Sequence, residues 1–195
     1  VGNHSVVIDL SSACTRLLGL DTPERTCRAE AGMTIGDLNA QIASSGLHFA
    51  PDPSTARQAN IGGCIGNNAA GAHSILYGRT SENVLGIDAC LADGRVVTLD
   101  EGAAARDPAV ADLTARVVRV VREHEQSIRE RFPKTLRRSA GYQLDEILRQ
   151  LDAHGDVPGR LNLAPLLCGS EGTLAVTLSA TLKLQPLPKA KGLCV

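Results

Sequence analysis

A glycine-rich run in the first half of the chain constrains the fold more than any other feature. Residues 60–73 read NIGGCIGNNAAGAH, a stretch in which small side chains dominate. Backbone with few side chains can approach a flat or charged ligand closely, and its N–H groups can hold phosphate or carbonyl oxygens. The run therefore favours a ligand-binding loop. A tightly packed loop with purely structural duties is the alternative.

Two common nucleotide-binding loops do not match this run. No lysine follows the glycines, so the run is not a P-loop. Gly62, Gly63 and Gly66 do not follow the order G-x-G-x-x-G, and no predicted strand leads directly into them. NAD on a Rossmann unit is therefore disfavoured.

Two further segments carry residues of chemical interest. The segment PDPS at 51–54 has prolines two apart, which force irregular, extended backbone. The segment GSEGTLAV at 169–176 fails the G-x-S-x-G pattern of a hydrolase nucleophile, because Cys168 and Gly169 precede Ser170. We interpret it as a turn that enters a strand, with Glu171 available to accept hydrogen bonds.

Hydrophobic periodicity predicts both strands and helices. Apolar runs and alternation indicate strands over 6–10, 16–20, 26–31, 85–91, 96–99 and 173–184. Spacing by three and four indicates helices over 34–45, 107–132 and 143–153. Thr34 with Asp37 predicts the cap of the first helix, and Asp93-Gly94 predicts a hairpin turn.

Composition narrows the function classes. The net charge is −1 and aromatic residues make up 2%, so the chain has neither the basic surface nor the stacking rings of a nucleic-acid binder. The apolar share of 43% predicts a globular fold with an aliphatic core. Residues 58–78 lack charge but hold five glycines and three asparagines, so we predict no transmembrane segment.

Cysteines and a basic cluster complete the candidate groups. No C-x-x-C pair occurs among the six cysteines, which predicts reduced, buried thiols in a cytoplasmic protein. The cluster of Lys134, Arg137 and Arg138 is either an anion site or a solvated face.

Taken in order, seven segments resemble the FAD-binding domain of the vanillyl-alcohol oxidase and p-cresol methylhydroxylase family. Within it the chain is most similar to the FAD-linked oxidases, such as the D-lactate, glycolate and D-2-hydroxyglutarate dehydrogenases. The segments are PDPST (51–55), NIGGCIGNNAAGAH (60–73), YG (77–78), VLGIDACLADGRVV (84–97), GYQL (141–144), GSEGTLAV (169–176) and LKLQPLP (182–188). Members of the family often have Thr in place of Asn60, Ala-Gly-Gly in place of Ala69-Ala70-Gly71 and Gly in place of Ala175. These departures are mild, because small residues remain small.

The resemblance implies an α+β fold with a mixed, largely antiparallel sheet flanked by helices. Residues 1–32 would be the remnant of the first FAD subdomain, and residues 33–195 would form the second. The pyrophosphate turn of the family would precede Val1, and the substrate domain with its catalytic histidine would follow Val195. We therefore expect a fragment of a larger flavoprotein that binds FAD weakly or not at all alone. It would contain no catalytic residue or metal ligand.

The resemblance also implies which residues contact FAD. The flavin and pyrophosphate side would be lined by Pro51, Asp52 and Ser54. Backbone would be presented to the phosphates and ribityl chain by Asn60, Gly62 and Gly63. The isoalloxazine would lie along Asn67, Gly71, Ala72 and His73, although His73 is alternatively a structural residue. The adenosine half would sit by Glu171, Gly172, Thr173 and Val176.

The implied parent enzyme oxidises a 2-hydroxy acid. The substrate Cα–H would pass as hydride to flavin N5, and the electrons would leave to a further acceptor. An iron–sulfur region in the same polypeptide, a cytoplasmic location and peripheral membrane contact through the acceptor are further expectations. Two alternatives remain: a non-catalytic interaction module without cofactor, and an enzyme of another class that uses the basic cluster and the histidines.

Overall fold

A computed structural model describes residues 8–135 and 138–190. The strands are β1 (Leu17–Asp21), β2 (Thr26–Glu30), β3 (Leu47–His48), β4 (Val84–Leu91), β5 (Val96–Asp100), β6 (Ala175–Lys183) and β7 (Gln185–Pro186). The helices are α1 (Ile35–Ile42), α2 (Ile61–Asn67), α3 (Ser74–Tyr77), α4 (Ala103–Arg106), α5 (Pro108–Glu123), α6 (Glu125–Arg131), α7 (Leu144–His154) and α8 (Ala164–Leu167). Short 3-10 turns cover Ala43–Ser45, Thr80–Glu82 and Pro158–Arg160.

The strands form one five-stranded sheet in the order β1-β2-β6-β4-β5, and β3 pairs separately with β7. Every pairing is antiparallel. The predicted class, α+β with a largely antiparallel sheet flanked by helices, is confirmed. Strands from both sides of residue 32 share the main sheet, and the subdomain boundary at that residue stays a prediction.

The sheet has one apolar and one polar face, because strand residues alternate sides. Ala29, Ile87, Leu99 and Leu182 are buried in the aliphatic core that the helices cover. The other face carries a polar ladder in which Asp88 accepts hydrogen bonds from Arg28, Thr98 and Ser179. Among the residues that the structure describes, Phe49 is the one aromatic side chain that is fully buried.

Local signals in the sequence placed several elements correctly. The Thr34 hydroxyl accepts the Asp37 N–H at 3.0 Å, as the capping pattern predicts. Gly46 ends the following 3-10 turn with a φ of 73°. The hairpin of β4 and β5, the helix α7 and the long strand β6 lie where periodicity places them.

Three expectations need correction. The helix predicted over 107–132 is two helices, because the backbone at His124 leaves helical geometry with φ −108° and ψ 14°. The alternation of Leu85, Ile87 and Ala89 predicts that all three share one face, but Leu85 is 39% exposed, since an irregularity between Val84 and Gly86 shifts the alternation of β4. Residues 8–10 have no regular structure, and the rest of the strand predicted over 6–10 lies outside the described residues.

The thiols are less uniformly buried than predicted. Cys27, Cys64 and Cys168 are buried, but Cys14 and Cys90 are half-buried. All five are free, and Cys194 lies outside the described residues. Among the described residues, no group of His, Cys, Asp and Glu is placed to hold a metal ion.

Candidate functional site

The glycine-rich run folds into α2 and the loop that follows it. Asn60 caps the helix, since its side-chain oxygen accepts the Gly63 N–H at 2.7 Å. Ile61, Cys64 and Ile65 are buried in the core, so the small residues are left on the outer side. The helix ends at Asn68, which adopts the left-handed conformation with a φ of 49°.

Close packing explains two of the glycines. A Cβ on Gly62 would lie 3.0 Å from the Cβ of Ala31, so a side chain there would push α2 off the end of β2. A Cβ on Gly63 would lie 2.9 Å from the capping oxygen of Asn60. The Gly62 N–H donates to Ala31 O at 2.8 Å, and the Gly63 N–H is held by Asn60. Because both donors are engaged, the helix offers a ligand its bare surface rather than free N–H groups.

The segment after Cys168 completes the other end of α2. The N–H groups of Gly169 and Glu171 donate to Ile65 O and Gly66 O, each at 2.9 Å. Gly169, Glu171 and Gly172 all have positive φ, which lets the chain turn tightly there before β6. Ser170 is buried at 4% exposure, which agrees with its exclusion as a nucleophile. The two sequence segments therefore form one structural unit.

Two clefts flank the first turn of α2. The sheet-side cleft, of about 520 Å³, lies between this turn and the start of β6. The loop-side cleft, of about 580 Å³, lies between the same helix and residues 53–59. Asn60 and Gly63 line both clefts. The clefts are therefore separated only by Gly63, which has no side chain, and by the side-chain amide of Asn60.

The predicted residues are divided among these clefts and a nearby loop. The sheet-side cleft is lined by Asn60, Gly62, Gly63, Glu171, Gly172 and Val176. The loop-side cleft is lined by Asn60, Gly63 and Asn67. The predicted residues that line neither cleft are Pro51, Asp52, Ser54, Gly71, Ala72, His73 and Thr173.

Asp52 forms the centre of a small cluster beyond the loop-side cleft. Its carboxylate accepts the backbone N–H of His73 at 3.2 Å and contacts Nδ1 of the His73 ring. A Cβ on Gly71 would collide with the side chain and carbonyl of Asp52. The His73 side chain is 67% exposed and its ring lies 6.5 Å from that of Tyr77. The loops at 51–54 and 69–73 are therefore joined by close packing.

Sequence reasoning missed several lining residues. Gly66, Ser170 and Thr177 line the sheet-side cleft, and Ser139 lines the loop-side cleft. Thr177 follows Ala175 by two positions on β6 and shares its side of the strand, but neither residue was predicted to contact FAD. Ser139 arrives from a distant segment and carries no local signal.

The clefts are poor in cations. Asp9 and Glu171 line the sheet-side cleft, and no lysine or arginine of the described residues lines either one. Burial raises the pKa of Cys64, in the loop-side cleft, to about 11, so it stays a neutral thiol. The arrangement suits a long ligand that lies over α2 with little charge compensation from these side chains.

Comparisons with known proteins agree with this geometry. A family profile described as an FAD binding domain matches residues 1–100. The D-2-hydroxyglutarate dehydrogenase of Pantoea ananatis is 35% identical over 97% of this chain and 19% of its own length. The mitochondrial D-lactate dehydrogenase [cytochrome] 1 of Saccharomyces cerevisiae is 26% identical over 98% of this chain and 24% of its own. The chain thus spans about a fifth to a quarter of these curated relatives.

A solved structure shares the fold. An alkyldihydroxyacetonephosphate synthase superposes with a TM-score of 0.60 at 19% identity, covering 97% of this chain and 25% of that one. At this identity the likeness concerns the fold alone. None of the described helices is both long and apolar enough to cross a membrane.

Proposed function

The chain belongs to the FAD-binding domain family, and from that premise we propose that it is the FAD-binding part of a flavin-dependent dehydrogenase or oxidase acting on a 2-hydroxy acid. The observation that carries the proposal is the pair of clefts that meet at Gly63. FAD is long and has a planar ring system at each end. Two clefts separated by a bare glycine have the shape to take one end of such a molecule each, with the anionic pyrophosphate between them.

The two clefts support the proposal by their shape, and their lack of cations bears on how the pyrophosphate of FAD would be held. In the described residues no cation lines the clefts to balance the pyrophosphate, and the Gly62 and Gly63 N–H groups already have acceptors. We propose that the pyrophosphate takes its main donors from residues other than these. The chain's own contribution is to hold and orient the two ends of the cofactor.

We assign those ends as the family resemblance orders them. The adenosine half would lie in the sheet-side cleft against Gly172 and Val176, and the flavin half would run over Asn67 toward the Asp52–His73 cluster. Ala72 and Thr173 would lie at the edges of the two halves. Bound FAD supplies the oxidising chemistry by accepting hydride from the substrate. Residues of this chain would position the ring, and the substrate-binding groups would come from outside it.

Finer features of the parent protein are also proposals. We propose an electron acceptor that reoxidises the flavin, an iron–sulfur region in the same polypeptide, and a cytoplasmic location. The five free thiols among the described residues support a reducing compartment.

The test uses the complete natural polypeptide that carries this chain. After purification, D-2-hydroxyglutarate, D-lactate and glycolate are each mixed with it without oxygen, and the visible flavin absorbance is followed. Bleaching by one of these acids, and not by its opposite enantiomer where one exists, is the expected result. A folded polypeptide without flavin would instead favour the non-catalytic interaction module. Bound flavin that no 2-hydroxy acid reduces would contradict the proposed substrate class.

A further inference from the structure

A groove along α5 and α6 lies apart from the two clefts of the proposed FAD site. It consists of two cavities, of about 600 and 290 Å³, that share Tyr142 and Leu144. It has no lining residue in common with either cleft. We call it the α5 groove.

The floor of the α5 groove is apolar and held in place. Val120 on α5 is 43% exposed and Tyr142 is 40% exposed, although both are large apolar side chains. The Tyr142 hydroxyl is hydrogen-bonded to Thr173 Oγ1 at 2.9 Å. The Arg138 guanidinium lies 4.7 Å from the centre of the Phe132 ring. An exposed apolar surface that is ordered in this way is typical of a contact site.

The rim of the groove is basic. Four arginines line it, and no carboxylate of the described residues does; the arginines are Arg116, Arg119, Arg131 and Arg138. Arg119 and Arg131 make no ion pair with the described residues, and Arg116 has only a 3.9 Å contact with Asp112. Arg138 is paired with Asp145.

Other arginines on the same two helices show the contrast. Arg122 is paired with Glu125 and Asp156, and Arg129 is paired with Glu125 and Asp152. Arg122 and Arg129 are therefore neutralised, whereas Arg119 and Arg131 on the groove side keep positive charge without a carboxylate partner among the described residues. Uncompensated charge around an apolar floor is complementary to a partner with an apolar centre and an acidic border.

We propose that the α5 groove docks an acidic amphipathic helix presented by a separate protein. The apolar stripe of that helix would cover Val120 and Tyr142, and its flanking carboxylates would meet Arg119 and Arg131. A concave groove beside a helix suits a rod-like segment better than a flat lipid surface. Charges at a rim chiefly raise the association rate, which is useful to a partner that arrives by diffusion.

The test again uses the complete natural polypeptide. Fluorescence anisotropy measures its binding to a labelled peptide of about 15 residues, with leucine at every third or fourth position and glutamate elsewhere. A second peptide carries lysine in place of each glutamate. We expect the acidic peptide to bind more tightly than the basic one, and salt to weaken it.

Variants with matched controls locate the binding. Val120→Asp and the double variant Arg119→Glu/Arg131→Glu should each weaken the acidic peptide by at least about tenfold. Val157→Asp places the same change at an exposed loop valine, and Arg95→Glu reverses an exposed arginine in the β4–β5 turn; neither should alter binding. All the substituted side chains are exposed, so the melting temperature should change little.

Several results would overturn the proposal. Equal binding of the two peptides, or binding insensitive to Val120→Asp, would exclude an acidic occupant of this groove. Binding to phosphatidylserine vesicles without binding to the acidic peptide would indicate a membrane surface. A dimer that Val120→Asp converts to a monomer in sedimentation would indicate a second copy. Failure of the acidic peptide to bind at all would also contradict the proposal that the α5 groove docks an acidic helix.

Discussion

At the scale of single residues, the glycines of the run at 60–73 meet different neighbours. Gly62 allows α2 to pack on Ala31, Gly63 leaves the boundary between the two clefts bare, and Gly71 lets its loop lie against Asp52. A run that the sequence shows as uniformly small thus combines positions fixed by close packing with positions that line the two clefts. The structural interpretation of the run is confirmed at Gly62 and Gly71, and its ligand-binding role stays a prediction.

Gly71→Ala tests the packing of the loop on Asp52. Because the added Cβ would collide with Asp52 backbone as well as its side chain, the loop must move, and we expect a loss of about 2 kcal/mol in the free energy of unfolding. Gly19→Ala is the control, since a Cβ there meets nothing within 4 Å. Urea denaturation compares the two. Equal stability of the two variants would show that the loop accepts a side chain at residue 71.

At the scale of elements, the first two helices begin with the same kind of side-chain cap. Thr34 caps α1 and Asn60 caps α2, each by accepting an N–H three residues on. Both caps follow from local sequence chemistry, and the Thr34 cap is recognisable from the chain alone. Only the cap of α2 lies in the proposed site.

Asn60→Ala and Thr34→Ala form a matched pair. Each should cost about 1 kcal/mol of unfolding free energy, because each loses one capping hydrogen bond. Asn60→Ala alone should also weaken FAD binding by the complete polypeptide, by about tenfold, since Asn60 lines both clefts. Isothermal titration measures the affinity of the FAD-free protein. An equal effect of the two variants on FAD would assign Asn60 a purely structural role.

The polar face of the sheet makes the stability depend on pH. Burial opposes ionisation of Asp88, but hydrogen bonds from Ser179, Thr98 and Arg28 outweigh it and lower its pKa below the ordinary 3.8. A lowered folded-state pKa means that the stabilisation is complete above the ordinary value and is lost as the pH falls through the lowered one. The ladder therefore stabilises the sheet at neutral pH.

Asp88→Asn should lower the unfolding free energy by about 1 kcal/mol at neutral pH, because it removes a charged acceptor. The difference from wild type should shrink in acid, below the ordinary aspartate pKa of 3.8. Asp112→Asn serves as the control, because that side chain is 74% exposed with one distant ion pair. Urea unfolding across this pH range makes the comparison. A difference that is constant with pH would contradict the linkage.

Element boundaries also show what the sequence could predict. The α1 cap and the β4–β5 turn depend on neighbours in the chain, so pattern reasoning found them. The break at His124 was missed because the apolar spacing continues across it, from Val121 to Ile128. The exposure of Leu85 was missed because the irregularity in β4 arises from its pairing with β6.

At the scale of the whole molecule, the site depends on contacts between distant segments. The glycine-rich run and the 169–172 turn are recognisable separately, but their union at the end of α2 rests on hydrogen bonds across about a hundred residues. The position of Ser139 in the loop-side cleft and the packing of Gly71 on Asp52 likewise depend on contacts between separate segments of the chain. Such pairings follow from the packing of the sheet and helices and leave no local pattern.

The charge of the site predicts weak binding by these 195 residues alone. No cation of the described residues lines the clefts, so the pyrophosphate lacks its partner there. We expect a Kd for FAD above about 1 µM, measured by quenching of flavin fluorescence. The complete natural polypeptide is the positive control. Sub-micromolar affinity of the 195-residue chain would show that its own groups suffice for the pyrophosphate.

The most direct test of the central claim is the flavin content of the complete natural polypeptide with a side chain placed between the clefts. Wild type and Gly19→Val should contain equimolar FAD, because residue 19 lies on β1 with open space around it. Gly63→Val should lose the flavin while its circular dichroism still shows a folded protein. A folded wild type without flavin, or a Gly63→Val protein with its full content, would contradict the claim that FAD lies across α2 at Gly63.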